Sequence, residues 1–298
     1  MTDPISNRTY AIRGTAHQAH RPEPGLYLVA TPIGHLDDLS LRALDIIAGA
    51  DILACEDTRV TGKLLKRYGI ERRMAAYHEH SGEKAGAALV ETIRGGGSVA
   101  LVSDAGTPLV SDPGYELVRA AIEAEVSVVA IPGASAVLTA LAVSGLPSDA
   151  FFFAGFLPAK EKARADRLEQ LLHIPSTLIF YEAPHRIAAS LAAMLEALGD
   201  RPAAVCRELT KMHETIYRGS LRELAEEFAA LETVKGEIVV CIAPPAEDAP
   251  PNEADIDGIL EGLLAEMKPA KAAQEAARLT GLPRRELYQR ALTLKDDG

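Results

Sequence analysis

From residue 25 onward, short apolar runs alternate with stretches whose apolar positions recur every three or four residues. The first kind reads as buried strands, the second as amphipathic helices. Leu26, Tyr27, Leu28, Val29 and Ala30 open the series as a strand, and a helix to Ala50 follows that Ser40 or Asp38 would cap. Further strands are predicted over 51–55, 74–78, 98–102 and 127–131. Helices are predicted after Arg59 and over 83–94, 115–122 and 135–143. Continuous apolar strands separated by helices predict a mostly parallel sheet covered on both faces.

Gly145, Leu146, Pro147 and Ser148 interrupt the alternation and mark a domain boundary. Beyond it, Phe151, Phe152 and Phe153 open a second lobe, a charged helix runs to about Leu172, and 177–181 and 203–206 read as strands. The segments 215–219 and 236–242 are expected to pair with each other. Pro244, Pro245, Pro250 and Pro251 make a linker, and 256–294 reads as three short helices broken near Pro269 and Pro283. The expected layout is a polar, poorly ordered tail (1–24), an α/β domain (25–146), a second α/β domain (147–244), a linker (245–254) and a helical C-terminal segment (255–298).

Composition narrows the class. At 298 residues, 48% hydrophobic and 24% charged, the chain reads as a soluble protein with room for two lobes, and no apolar stretch suits a membrane span. The start carries Arg8, Arg13 and Arg21 but no apolar region, so no secretory signal is expected. Three separated cysteines, Cys55, Cys206 and Cys241, suit neither zinc nor a disulfide framework and fit a reducing cytoplasm. A net charge of −11 argues against a general coat for nucleic acid. Locally, Arg59, Lys63, Lys66, Arg67, Arg72 and Arg73 stand against Glu71 alone, and Lys160, Lys162, Arg164 and Arg167 form a second group. Solvated helix faces would explain both clusters equally simply.

The chemistry concentrates in loops at strand ends. Residues 103–114 hold two Gly, two Pro and two Asp between a strand and a helix, a composition that fixes backbone and lets it approach a ligand. In open α/β sheets ligands sit beyond the strand ends, so this loop reads as one wall of a pocket. No Gly-x-Gly-x-x-Gly or Walker loop is present, so a dinucleotide is not expected. Other loops that could converge are 31–34, 56–59, 78–80, 132–136, 181–186 and 208–214. Each has a plainer reading. Glu56, Asp57 and Thr58 could cap a helix, and Pro184 could start one with His185 and Arg186 in solvent. His78 and His80 alternate without a partner cluster, so no metal is expected.

Taken together, these loops resemble the tetrapyrrole-methylase fold family, the class III S-adenosylmethionine-dependent methyltransferases. The likeness rests on Ala30-Thr31-Pro32-Ile33-Gly34, Cys55-Glu56-Asp57-Thr58-Arg59, Tyr77-His78-Glu79-His80 and the loop from Ser103 to Gly114. Pro132-Gly133-Ala134-Ser135-Ala136, Phe153-Ala154-Gly155-Phe156-Leu157-Pro158, Tyr181-Glu182-Ala183-Pro184-His185-Arg186, Glu208-Leu209-Thr210-Lys211 and Gly236-Glu237 complete it. Within that family the chain is most similar to the branch that methylates a cytidine 2′-hydroxyl in bacterial 16S ribosomal RNA. His35 stands where that branch is expected to carry Asn, and Ala134 where Pro is frequent.

The resemblance implies a two-lobed α/β fold with S-adenosylmethionine in the cleft between the lobes, plus a small C-terminal helical segment. It implies that Pro32, Val102, Ser103, Asp104 and Thr107 lie on the cofactor's methionine side, with Ser135 and Ala136 in the next loop, and that Tyr181, Leu209 and Gly236 hold its adenosine. Transfer to a ribose hydroxyl calls for alignment and for a base or nearby cation. Glu56, Glu182 and Lys211 are the catalytic candidates, with Arg59, His78 and Arg186 on the RNA. The C-terminal segment resembles a helix-turn-helix in which Arg284 and Arg285 could meet phosphate, or else a helical appendage that packs on a lobe or partner. The implied partner is 16S ribosomal RNA in the small ribosomal subunit, the implied state a cytoplasmic homodimer. Two rivals remain at this point: a tetrapyrrole methylase of the same fold, and a non-catalytic RNA-binding assembly factor.

Overall fold

A computed structural model describes residues 8–78, 81–246, 253–280 and 282–296. The chain divides into two compact units, Met1–Pro245 and Ala246–Gly298.

Residues 8–24 are ordered, contrary to the expected tail. Strands β1 (Thr9–Ile12) and β2 (Thr15–Gln18) form an antiparallel hairpin. Its turn residues Arg13 and Gly14 both have positive φ, the geometry that tight two-residue hairpins use. Tyr10 and Ala19 enter a hydrophobic core, and the Arg8 guanidinium pairs with Asp51 at 2.7 Å. A buried tyrosine and a buried arginine supply contacts that offset the ordering entropy.

The first large sheet is built from β3 (Gly25–Val29), α1 (Leu41–Gly49), β4 (Ile52–Cys55), α2 (Thr58–Arg67), β5 (Met74–Ala76), α3 (Gly82–Arg94), β6 (Ser98–Val102), α4 (Tyr115–Glu123) and β7 (Val128–Ile131). The strands are all parallel, in the order β5-β4-β6-β3-β7. Side-chain alternation divides them cleanly. Tyr27, Val29, Leu53, Cys55, Ala100 and Val102 face α1 and α2, while Leu26, Ala54, Val99 and Leu101 face α3 and α4. Both faces are covered, which is why these strands read as unbroken apolar runs. Ser40, as expected, caps α1 by accepting from Ala43 N.

The second sheet follows α5 (Ala136–Ser144) and comprises β8 (Phe151–Phe156), α6 (Glu161–Glu169), β9 (Thr177–Glu182), α7 (Ile187–Leu198), β10 (Pro202–Arg207), β11 (Thr215–Ser220), α8 (Leu221–Ala229) and β12 (Ile238–Ile242). Its order is β11-β10-β12-β9-β8, with only β8 and β9 parallel. The expected pairing of β11 with β12 is therefore wrong, because β10 runs between them and pairs with both. Leu178, Phe180, Val205, Val240 and Ile242 face α7 and α8. Ile179, Ala204, Cys206, Val239 and Cys241 face α5 instead. Helix α5 leaves the first sheet and lies on the second, so the ends of β3, β6 and β7 meet a face of β9, β10 and β12.

In the C-terminal unit, α9 (Glu253–Glu266), α10 (Pro269–Thr280) and α11 (Arg284–Asp296) enclose Leu260, Ala273, Ala276, Leu287 and Ala291. Arg290 on α11 pairs with Asp257 on α9 at 2.6 Å. The three helices match the expected breaks. Most of the expected linker, 247–252, lies outside the described residues, as do Glu79 and His80. No helix among the described residues is long and apolar enough to cross a membrane.

Candidate active site

Three strand-end loops of the first sheet are tied together by hydrogen bonds. Thr31 and Gly106 exchange main-chain bonds of 2.9 and 3.0 Å. The Thr31 hydroxyl donates to Ser103 O at 3.1 Å, and that of Thr107 to Ala134 O at 3.2 Å. A fourth loop reaches across from the second sheet: His35 N donates to the Thr210 hydroxyl at 3.1 Å. Gly34 makes this approach possible, since a Cβ there would stand 2.5 Å from Lys211 Cγ and 2.9 Å from Leu209 O.

The loops enclose a cavity of about 380 Å³. Its floor is the α5-facing side of the second sheet, with Tyr181, Cys206 and Val239, and its walls are 105–107, 110–112, Ser135, Ala136, Leu209 and 236–238. Tyr181 is held edge-on by Phe153 and Phe156, at ring separations of 4.8 and 5.5 Å. Its phenol is pushed up to about 12, first by burial and then by the negative charges of Asp112 and Glu237. Among the described residues, six non-glycine residues have positive φ, and four of them flank this cavity: Leu109 (74°), Ser111 (63°), Glu208 (54°) and Thr210 (61°). Such conformations cost roughly 1–2 kcal/mol each and concentrate where a site fixes them.

A second, wider cavity of about 1050 Å³ opens beyond the first sheet, lined by Glu56, Tyr77, His78, Tyr115, Arg119 and neighbours on α3 and α4. Ser111 and Asp112 line both cavities. Asp112 is pushed up to about 6, chiefly by burial, with the carboxylates of Glu56 and Asp104 adding to the rise and a hydrogen bond with Ser103 opposing it.

The residues named for a cofactor divide into two groups. Thr107, Ser135, Ala136, Tyr181, Leu209 and Gly236 line the smaller cavity. Pro32, Val102, Ser103 and Asp104 do not; they brace its loops. Val102 is in the core, Ser103 O accepts from Thr31, and Asp104 Oδ1 accepts from Asp57 N at 3.0 Å. Asp112 and Glu237 also face the cavity, beyond the candidates named from sequence; for Asp112 the place before Pro113 in the 103–114 loop is the signal in the sequence.

The catalytic and RNA candidates fare unevenly. Glu182 borders the cavity, but strand parity puts its side chain with Leu178 and Phe180, toward α7. There it accepts from the Ser190 hydroxyl and Ala183 N and pairs with Arg186 at 2.8 Å, with no side-chain exposure. This burial speaks against Glu182 as the base, and Arg186 is engaged within the fold while still partly exposed. Arg186 also donates to Leu157 O, so this pair anchors the start of α7. Lys211 bridges Glu208 and Glu237 at 2.7 and 3.1 Å outside the cavity lining. Burial opposes its charge, yet the two carboxylates prevail and hold its pKa above the ordinary lysine value. These pairs brace the loop. Glu56 and the exposed His78 border the larger cavity. Arg59 is exposed at the start of α2, paired with the capping Asp57 at 2.6 Å. Arg284 and Arg285 are exposed on α11 in the separate C-terminal unit.

Comparison with known proteins places this geometry. The pattern of the Tetrapyrrole (Corrin/Porphyrin) Methylases matches residues 25–225, and that of the RsmI C-terminal HTH domain matches residues 250–295. A protein of Mesorhizobium japonicum named ribosomal RNA small subunit methyltransferase I is 60% identical over 92% of this chain and 93% of its own length. One of the same name from Pseudomonas aeruginosa is 46% identical over 90% of this chain and 96% of its own. Among solved structures, diphthine synthase aligns with a TM-score of 0.58 at 17% identity, covering 73% of this chain and 89% of that one. Uroporphyrin-III C-methyltransferase from Thermus thermophilus, in complex with S-adenosylhomocysteine, aligns at 0.51 and 21% over 73% of this chain and 96% of its own. At such identities these structures speak for the fold alone. The chain belongs to the tetrapyrrole methylase family, in the branch of the ribosomal RNA small subunit methyltransferases I.

Proposed function

We propose that this chain uses S-adenosylmethionine to methylate the ribose 2′-hydroxyl of a cytidine in the decoding region of 16S ribosomal RNA. The observation that carries this reading is the continuous likeness to relatives named for ribosomal RNA across both the methylase unit and the C-terminal helices. The rival tetrapyrrole reading has only the fold in its favour.

The smaller cavity fits the cofactor. Its volume lies within the ~300–1,000 Å³ common for small-molecule sites. Its lining mixes apolar side chains with Gly, Ala, Ser and Thr, and offers a tyrosine ring for a base to pack on. Glu237 supplies negative charge suited to a cationic ligand. Thr107, Ser135, Ala136, Tyr181, Leu209 and Gly236 would hold it. When bound, it supplies a methyl group already activated on a sulfonium.

The protein's own work is then alignment and proton handling. The hydrogen-bonded loops around Thr31, Gly106 and Ala134 hold the pocket's shape before any ligand arrives. Helix α2 buries Thr61, Leu64 and Leu65 and exposes Lys63, Lys66 and Arg67 beside Arg59, a face suited to phosphate. Action as a homodimer in the cytoplasm, on the assembled small subunit, belongs to the same proposal.

The test supplies methyl-labelled cofactor with free 16S RNA, isolated small subunits and a tetrapyrrole precursor in parallel. Label is expected at a ribose 2′-oxygen of the RNA, with the subunit as the better substrate. Label in the tetrapyrrole alone, or nowhere, rejects the reading. Sedimentation of the pure protein checks the dimer.

A further inference from the structure

The two cavities differ in size. One, of about 380 Å³, contains Tyr181 and most of the cofactor candidates; the other, of about 1050 Å³, has room for a nucleotide. If methyl donor and acceptor occupy them separately, the reacting atoms meet where the cavities meet. Ser111 and Asp112 alone among the described residues line both. Of the two, only Asp112, with its carboxylate, ionises in the neutral range.

We propose that Asp112 is the general base of the methyl transfer, positioned at the junction of the cofactor and acceptor cavities. This rests on the function proposed above. As the ribose oxygen forms its bond to the methyl carbon, the hydroxyl proton passes to the Asp112 carboxylate. The carbon–sulfur bond breaks with its electron pair left on sulfur, which becomes a neutral thioether, and Asp112 later releases the proton to water. No further reactant is needed.

Several independent features hold the carboxylate there. Ser111 at φ 63° and Leu109 at φ 74° fold the loop back on itself, and Pro113 keeps Asp112 out of the helical region. Gly114, at φ 131°, passes so close to β6 that a Cβ would stand 2.9 Å from Leu101 Cδ2. The groups facing Asp112 are Ser103 and Asp104 from its own loop, Glu56 from the end of β4 and Tyr181 from β9. Burial first, and then the two acids, keep its proton affinity high, so that it is ionised at neutral pH yet still basic enough to accept a proton. Glu182, by contrast, is fully engaged with Ser190, Ala183 and Arg186.

The experiment measures single-turnover methylation of the small subunit from pH 5 to 9, cofactor affinity by calorimetry, and melting temperature, for the native enzyme and for Asp112→Asn, Asp112→Ser and Glu56→Gln. The native rate is expected to rise with unit slope to a plateau above about pH 6. Both Asp112 variants should lose ~100-fold or more in rate and lose the inflection, with cofactor affinity within about threefold and no drop in melting temperature. Glu56→Gln should move the inflection to lower pH, because it removes a negative charge facing Asp112. Asp112 variants within about threefold of native rate, an inflection that survives in them, or a loss explained by weaker cofactor binding would each overturn the assignment. A native enzyme that methylates no ribosomal RNA would instead overturn the proposed function, so the two failures are separable.

Discussion

Asp112 shows how one side chain couples stability to chemistry. Its folded-state pKa of about 6 lies above the ordinary aspartate value of 3.8, so the folded protein binds this proton more tightly than the unfolded chain does. The stabilising contribution is complete below about pH 4 and disappears as pH rises through about 6. Above that, the ionised carboxylate weakens the fold, by of order 1–2 kcal/mol once partial solvent screening is allowed for. Asp112→Asn should therefore be more resistant to urea than the native protein at pH 8, with the difference gone at pH 4. Glu182 should behave oppositely. Replacing it with Gln breaks a pair buried on one side and weakens the acceptor for Ser190 and Ala183 N, so a loss of about 2–4 kcal/mol is expected in denaturant titration. Turnover per folded molecule should hardly change. Equal loss of turnover and stability would restore Glu182 to the chemistry.

At the scale of elements, the most sensitive joint is the contact of the Gly34 turn with the 209–211 loop. Gly34→Ala should force these segments apart and weaken cofactor binding by tenfold or more, since the intruding Cβ meets Leu209 O as well as the flexible lysine. Gly236→Ala should be worse, because φ there is +94° and the new carbon would overlap Glu208. Calorimetry with the cofactor product would measure both. The hairpin β1–β2 offers another case: removing residues 1–24 should lower the melting temperature by several degrees, because Tyr10, Ala19 and the Arg8–Asp51 pair go with it. The sequence did not announce that hairpin. Thr-Tyr-Ala-Ile and Thr-Ala-His-Gln lack clean alternation, and only the Arg13-Gly14 turn hinted at pairing. The parallel strands were legible because burial on both faces writes itself as apolar runs. Partner choice among β10, β11 and β12 was not: the polar β11 reads as an edge and the apolar β12 as central, but neither pattern says that β10 runs between them. The site loops were readable as a set, but which way Glu182 points depended on strand parity counted from Leu178 and Phe180.

For the whole molecule, the separate core of α9–α11 predicts independence. A chain ending at residue 245 should fold, bind cofactor with native affinity and retain the first unit's melting transition. If Arg284 and Arg285 meet phosphate, the shortened chain should bind RNA more weakly, with a salt slope reduced by roughly 0.7–0.9 per lost contact. Unchanged affinity and slope in filter binding across a salt series would leave the helices to some other partner. The net charge of −11 makes such local basic faces matter more, since the molecule as a whole repels RNA.

The order β5-β4-β6-β3-β7 has a consequence during synthesis. β3 is made early, yet its first edge waits for β6 and its second for β7, whose last residue is Ile131. The pocket floor waits longer still, for β12 at Ile238–Ile242. A nascent chain therefore carries an unfinished sheet edge for most of its time in the exit tunnel's vicinity, a stage at which edge-to-edge association competes with native pairing. The methyl-donor chamber closes only once Ile242 has been translated. Helices α9–α11 are made after it, so a finished pocket does not depend on their synthesis.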